Sequence, residues 1–158
     1  MKKGAVFMEF LGEIQKVVAQ AKGIKGLEEL AESLENAVNM LGGVAMYMGQ
    51  TANSPGFKVA FSHALPFLDV MGDVIMAWML LWRASIAAPK LDDILGDLEG
   101  EARREKVNKN KHAAFYEGQV RSAEYFIQTI LPVTLGKMTS IEAGSKAIVE
   151  IPEVSFGG

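Results

Sequence analysis

The 158-residue sequence contains no cysteine. Disulfide bonds, zinc–thiolate sites, iron–sulfur clusters and cysteine nucleophiles all require that side chain, so each of them is excluded. Nothing in the composition points to the oxidising environment outside the cell. We therefore expect a cytoplasmic protein.

Histidine and net positive charge are also scarce. The two histidines, His63 and His112, have no second His or Glu at the spacing that metal-binding helical bundles use. We expect no metal site, and interpret His63 as a core or bend residue and His112 as a helix-start residue.

The 16 Lys and Arg against 19 Asp and Glu give a net charge of -3. Nucleic-acid affinity depends on clustered basic residues, so we expect no nucleic-acid partner.

Phosphate-binding motifs and long hydrophobic runs are missing as well. The chain has no GxGxxG, GxxxxGK or GxSxG segment. The richest apolar run, residues 74–82, is bounded by Asp73 and Arg83 and is far shorter than the roughly 20 apolar residues of a membrane-spanning helix. We expect no membrane insertion. Glu9 and Glu13 interrupt the apolar start of the chain, so we expect no export signal.

Hydrophobic residues make up 49% of the chain and recur at the three- and four-residue steps of helices. The first two patterns cover residues 6–21 and 27–48. A third helix is predicted over 57–88, with a kink at Pro66 and an end before Pro89. A fourth follows residue 111 and is kinked at Pro132, and residues 141–151 form a short last helix. The sequence predicts one domain, 1–158, an all-α bundle of four long helices with a kinked, strongly apolar third helix and a short C-terminal helix.

Residues 89–111 interrupt this apolar pattern with charge. Acidic residues come first and basic residues follow, with Gly96 and Gly100 between them. This composition predicts an exposed, mobile connection between the third and fourth helices, with one short helix over residues 91–98.

The second half of helix two and the middle of helix three lack a polar face, which indicates contact with another surface. Methionine and tryptophan at helical spacing are typical of a core or subunit contact, although they also suit the lining of a cofactor pocket. Arg83 either stacks on Trp82 and reaches solvent or pairs with a carboxylate or phosphate. The candidate interface residues are Met46, Tyr47, Trp78, Trp82, Arg83, Phe115 and Tyr116.

An ordered series of residues in the third and fourth helices resembles a known family. The series is Ala64-Leu65-Pro66-Phe67-Leu68, Gly72, Ala77-Trp78, Leu80-Leu81 and Ala84, then Ala114-Phe115-Tyr116, Gly118, Ala123, Tyr125-Phe126 and Leu131-Pro132. It resembles the extra C-terminal helical domain of the long acyl-CoA dehydrogenase-like flavoproteins. Lys2-Lys3-Gly4-Ala5 looks like the junction just beyond the catalytic core of that family.

The resemblance implies a role without chemistry of its own. Enzymes of this family remove the α proton of an acyl-CoA with a glutamate base and pass a hydride to FAD, with electron-transfer flavoprotein as the usual acceptor. Those parts lie outside this chain. Tyr116-Glu117-Gly118-Gln119 is similar to the Tyr-Glu-Gly-Thr segment that carries the base in many members. Here the apolar pattern continues through it as a helix, so we interpret Glu117 as a surface residue.

The expected function is therefore that of a C-terminal helical domain in an FAD-dependent acyl-CoA dehydrogenase-like enzyme. The resemblance implies FAD in the full-length enzyme and no cofactor in the isolated chain, with no catalytic residue here. Its partners would be its own N-terminal catalytic domains and further copies in a homo-oligomer. The alternative is a stand-alone helical module that self-associates through the same apolar faces and has no redox role.

Overall fold

The computed structural model describes residues 4–157, which fold into helices and turns without a β-strand in that range. The helices are α1 Ala5–Lys22, α2 Glu28–Ala52, α3 Phe57–Ser62, α4 Ala64–Leu95, α5 Gly100–Lys109, α6 Lys111–Tyr125, α7 Leu131–Glu142 and α8 Ala147–Glu150. A π-helical turn, Phe126–Ile130, joins α6 to α7, and a 3-10 turn, Glu153–Phe156, follows α8. The predicted all-α fold is confirmed. Lys2 and Lys3 of the predicted junction lie outside the described residues.

The four long helices of the prediction are α1, α2, α4 and the continuous run from α6 to α7. Helix α4 lies at the centre, because α1, α2, α6 and α7 all pack against it. The apolar stripes of α1 and α2 meet as the heptad pattern predicts, since residues at three- and four-residue steps share one helix face. The largest fully buried side chains include Ile14, Leu34, Leu41, Leu81, Ile127, Leu131 and Met138.

The predicted third helix is two helices, and the kink predicted at Pro66 is wrong. The chain breaks at His63, between α3 and α4. The His63 ring Nδ1 lies 2.9 Å from the Val59 carbonyl oxygen and 3.1 Å from Ser62 Oγ, so the prediction of a bend histidine is confirmed. Pro66 falls in the first turn of α4, where a backbone N–H has no partner within the helix. The proline therefore does not distort α4.

The predicted end before Pro89 is also wrong, because α4 continues through this proline to Leu95. A proline inside a helix costs about 3 kcal/mol. Beyond Pro89, Leu91 and Leu95 are buried against Ala113 of α6 and form a second, smaller core. This packing offsets the loss of a backbone hydrogen bond. Gly96, with a positive φ of 55°, ends the helix.

Residues 89–111 are mostly exposed, as predicted, but they are helical over most of their length and not at residues 91–98 alone. Their first part belongs to α4 and their second part forms α5, which has no buried residue. The predicted short helix over 91–98 does not exist as a separate element. Asn110 begins α6, because its side-chain oxygen accepts hydrogen bonds from the backbone N–H groups of His112 and Ala113. The prediction of a helix-start histidine at 112 is confirmed.

The fourth long helix widens just before Pro132 instead of bending at it. In the π-helical turn the N–H of Leu131 donates to the carbonyl of Phe126, five residues back. Pro132, one residue into α7, has no N–H to donate, and a wider turn makes room for its ring. The last predicted helix, 141–151, is shorter than expected. Ile141 is a core residue in the last turn of α7, and only Ala147–Glu150 forms α8.

Candidate functional site

Helix α4 carries a continuous apolar face that the bundle does not cover. We call it the outer stripe, and it comprises Leu65, Leu68, Gly72, Ile75, Met79, Trp82 and Ile86. Leu65 is 67% exposed, Trp82 46% and Ile86 48%, while Ile75 and Met79 are half-buried. Helix α4 is long and apolar enough to cross a membrane by length and composition alone. Of its most apolar 18 residues, only 22% are buried in the bundle. The outer stripe is a surface that needs a partner.

A second apolar surface lies where α1 begins. Phe7 of α1, Ala45 and Met48 of α2, Phe61 of α3, and Ala64 and Phe67 of α4 line a groove of about 390 Å³. We call it the end groove. Phe61 is 72% exposed and stacks edge-to-face on Phe57, with ring centroids 6.1 Å apart. An exposed aromatic pair on an apolar groove is the type of surface that interfaces bury.

The seven predicted interface residues do not form one surface. Trp82 and Arg83 are exposed on α4, but as neighbours in sequence they point in different directions around the helix. Among the described residues the one cation–π contact is Lys90 over the ring of Tyr116, at 5.7 Å, so the predicted stacking of Arg83 on Trp82 is wrong. Trp78 is half-buried and packs edge-to-face on Phe10 of α1, with centroids 5.9 Å apart.

The other predicted interface residues are divided between the surface and internal contacts. Met46 is 65% exposed and Phe115 60%. Tyr116 is half-buried against the Leu91–Ala113 core, and Phe115 stacks edge-to-face on it. Tyr47 is half-buried, and its hydroxyl occupies the space where a side chain at Gly144 would stand. Met46 and Phe115 thus remain available to a partner, whereas Tyr47 and Tyr116 hold the bundle together.

Glu117 is held between two arginines, an arrangement that we call the Glu117 clamp. Arg103 of α5 donates to both carboxylate oxygens, at 3.3 and 2.5 Å, and Arg121 Nε donates to Oε1 at 2.9 Å. The Glu117 side chain is 17% exposed, so this predicted surface residue lies at the edge of the bundle but is partly covered by the two arginines. Arg121 also donates to Glu124 at 2.5 Å. The clamp attaches the exposed helix α5 to α6.

The two arginines of the clamp favour the ionised form of Glu117. Burial raises the pKa of this carboxyl, but hydrogen bonds and charge from Arg103 and Arg121 outweigh it, and the pKa lies below the usual value of 4.5. The pKa of Arg121 is raised, chiefly by its hydrogen bonds to Glu124 and Glu117. A general base needs a pKa near the working pH and a free lone pair aimed at its substrate. Glu117 is thus ionised at neutral pH and serves as a structural anchor.

A second polar contact, absent from the sequence interpretation, crosses from α4 to α7. The hydroxyl of Thr134, which is fully buried, donates to Asp73 Oδ2 at 2.8 Å, and Lys137 Nζ lies 3.5 Å from the same oxygen. The Asp73 side chain is 27% exposed. The hydrogen bond between Thr134 and Asp73 fixes α7 on α4. Within residues 4–157, no three His, Asp or Glu side chains are placed to hold a metal ion.

Comparison with known proteins identifies the family. The family model "Acetyl-CoA dehydrogenase C-terminal like" matches residues 10–152. The chain belongs to this family. It is also 28% identical over 160 residues to the broad-specificity linear acyl-CoA dehydrogenase FadE5 of Mycobacterium tuberculosis (strain ATCC 25618 / H37Rv), a match that covers 98% of this chain and 24% of the relative. The chain thus spans about a quarter of that relative's length.

Neither the Glu117 clamp nor the end groove of this acyl-CoA dehydrogenase C-terminal-like domain presents free hydrogen-bond donors to a flavin dinucleotide. A flavin pyrophosphate requires hydrogen-bond donors or a helix N-terminus directed at it. The guanidinium groups beside the Glu117 clamp are already paired with Glu117 and Glu124. The end groove has apolar side-chain walls. Neither of these two sites therefore fits a flavin pyrophosphate.

Proposed function

We propose that this chain is the non-catalytic helical domain of an FAD-dependent acyl-CoA dehydrogenase-like enzyme, in which it supports the catalytic domains and contributes to contacts between subunits. In this proposal the flavin, the acyl-CoA and the catalytic base belong to the other domains. The observation that carries it is the pair of uncovered apolar surfaces, the end groove and the outer stripe, on a domain whose half-buried Glu117 carboxylate is fixed by two arginines.

The two surfaces suit different neighbours. The family's domain is carboxy-terminal, so the catalytic domains would join it at the first turn of α1. Phe7, in that turn, is one wall of the end groove. A preceding domain can bury this groove with little connecting chain, which keeps the entropic cost of docking low. We therefore assign the end groove to the catalytic domains and leave the outer stripe for a subunit contact.

The chain as purified provides the first test. We expect no bound flavin by visible absorbance and no acyl-CoA oxidation with an artificial electron acceptor. A yellow protein with stoichiometric flavin would contradict the proposal. The second test is an immunoblot of a source extract with antibody against this chain, where we expect a band far above 17.1 kDa. A band at 17.1 kDa would favour a stand-alone module over a domain of a larger enzyme.

We also propose that the protein is cytoplasmic, on the basis of its cysteine-free composition. Fractionation of the source organism with the same antibody tests this. Recovery with the soluble cytoplasmic fraction is expected, and recovery with the medium or the envelope would contradict it.

A further inference from the structure

Helix α4 has two apolar stripes on opposite faces, and both follow a heptad. The inner stripe is buried by the bundle and comprises Val70, Val74, Ala77, Leu81, Ala84, Ala88, Leu91 and Leu95. The outer stripe repeats the same alternation of three- and four-residue steps from Leu65 to Ile86 and is left uncovered. A spacing of 3.5 residues is the period with which two helices pack along a seam. The outer stripe therefore has the pattern of a helix that pairs with another helix.

We infer that the outer stripe of α4 pairs with the outer stripe of a second copy of this chain, antiparallel, with the two-fold axis beside Met76. A two-fold contact places the same surface on both subunits, so the stripe must be complementary to itself when reversed. In this register the facing positions of the stripe are centred on residue 77, so that Leu68 faces Ile86, Ile75 faces Met79 and Gly72 faces Trp82 of the second copy. Each of these contacts occurs twice. On the flank of the stripe, Met76 faces its own equivalent.

Side-chain size supports this register. An added Cβ at Gly72 would meet no atom within 4 Å, so this position leaves a gap on the surface of α4. Trp82, the largest side chain of the stripe, is 46% exposed. Antiparallel pairing places the tryptophan of one copy over the glycine of the other, as close packing requires. A parallel pair would place Trp82 against Trp82 and leave a void between two Gly72 residues.

Charge supports the same register. Asp69 and Arg83 flank the stripe on one side, each seven residues from Met76 and both exposed. In antiparallel helix pairs, residues at these flanking positions face their equivalents across the seam, so Asp69 of each copy meets Arg83 of the other. Complementary flanking charges select partner and orientation. The same two charges disfavour burial of the stripe in a lipid bilayer.

This inference deepens the proposed role in subunit contacts and rests on it in that respect alone. The dimer would be a property of α4, and it requires neither flavin nor the catalytic domains. Failure to dimerise would overturn the inference and leave the assignment of the end groove intact. Flavin bound to this chain would instead overturn the proposed function and leave the dimer intact.

Sedimentation equilibrium of the chain is the primary experiment, with Gly72→Leu as the diagnostic variant. The wild type should sediment as a monomer–dimer equilibrium with a micromolar dissociation constant. Gly72→Leu has room in the monomer and better helix propensity, so its thermal stability should not fall. In the dimer the leucine excludes Trp82, and we expect the dissociation constant to rise at least about tenfold. A monomeric wild type, or a dimer indifferent to Gly72→Leu, overturns the inference.

A charge exchange tests the register. Asp69→Arg places two like-charged pairs in the seam and should weaken the dimer at least about tenfold, because facing like charges cost several kcal/mol. The double variant Asp69→Arg/Arg83→Asp should restore it. Glu32→Arg makes the same change of charge on the exposed face of α2 and serves as the matched control. If the double variant stays as weak as the single one, the antiparallel register is wrong.

Because the chain has no native cysteine, single-cysteine variants give a direct readout of orientation. Met76→Cys should form a disulfide between two copies on mild oxidation. Leu65→Cys should not, because about 36 Å separates the two copies of this position in the antiparallel register. Cross-linking at both positions would indicate parallel helices and overturn the inference. Flotation of the wild type with anionic liposomes would also overturn the inference, because it would show that the outer stripe binds lipid.

Discussion

At the scale of single residues, Gly144 shows how a side chain from another helix can require glycine. Its φ is +60°, and the hydroxyl of Tyr47 fills the space beside it. We predict that Gly144→Ala destabilises the chain by about 2 kcal/mol, since it combines backbone strain with overpacking. Chemical denaturation measures this directly. Gly26→Ala is the matched control, because Gly26 also has a positive φ but nothing within 4 Å, and it should cost about half as much.

A double variant separates the two causes at Gly144. Removing the hydroxyl with Tyr47→Phe should recover part of the loss in Gly144→Ala and leave the part due to backbone strain. Strict additivity of the two single changes would show that Tyr47 and Gly144 do not interact energetically, contrary to this account.

Glu117 gives the chain a pH dependence of known sign. Its pKa in the folded chain lies below the usual 4.5, so the ionised clamp contributes stability above that pH and loses it as the pH falls through the folded-state pKa. We predict that Glu117→Gln lowers the free energy of unfolding by about 1 kcal/mol at neutral pH. The difference from wild type should shrink in acid. Urea denaturation at several pH values measures both effects.

Glu124→Gln is the comparison for this prediction. Glu124 also accepts a hydrogen bond from Arg121, but its side chain is 35% exposed, against 17% for Glu117, and this ion pair lies within α6. Its loss should cost less than that of Glu117. Equal losses that persist in acid would contradict a stabilising role of the clamp through charge.

At the scale of helices, α5 is attached to the bundle at few points. It has no buried residue, its ends lie at Gly100 and at the extended residue Asn110, and its two attachments are the Glu117 clamp and half-buried Val107. We predict that Arg103→Ala raises hydrogen exchange in α5 at least about tenfold, while exchange in α2 and α4 stays unchanged. Arg104→Ala, at the exposed neighbouring position, is the control and should have little effect.

The helices also show which parts of the fold a sequence can predict. The bounds of α1 and α2 follow from patterns that end in glycine or turn residues, and both were correct within a few residues. The region 89–111 was misjudged because its charge hides Leu91 and Leu95, which become core residues only when Ala113 packs on them. The Glu117 clamp was not predicted either, because Arg103 and Glu117 lie on different helices and meet only in the folded chain. Contacts between distant segments decide both cases.

At the scale of the whole molecule, family and fold class were accessible from sequence but the partner surfaces were not. The sequence showed α4 to be apolar on all sides, yet only the packing of α1, α2, α6 and α7 separates its inner stripe from the outer one. Prediction of the end groove requires the positions of three helices, because Phe7, Ala45 and Phe61 come from α1, α2 and α3. Composition predicts that an interface exists, and the fold determines where.

The end groove leads to a prediction for the whole enzyme. Phe61→Lys should leave the melting temperature of the isolated chain nearly unchanged, because this side chain is 72% exposed. In the native polypeptide it should weaken docking of the catalytic domains and lower the temperature at which activity is lost. Phe115→Lys, 60% exposed near the far end of α4, is the comparison. If Phe115→Lys lowers that temperature and Phe61→Lys does not, the docking surface is at the opposite end of the bundle.

The π-helical turn at Phe126–Ile130 has a consequence for how this chain tolerates changes in length. A π turn completes one rotation about the axis with one residue more than a regular α-helical turn. Deleting Gln128 or Thr129 would therefore leave a regular helix in which the faces of α7 keep their directions, and Leu131, Thr134, Met138 and Ile141 would stay in the core. The same deletion in the regular turns of α6 would rotate everything after it by about 100° and take these four residues out of the core together. The π turn is therefore the place where the last long helix can lose a residue without changing the face that it presents to the bundle.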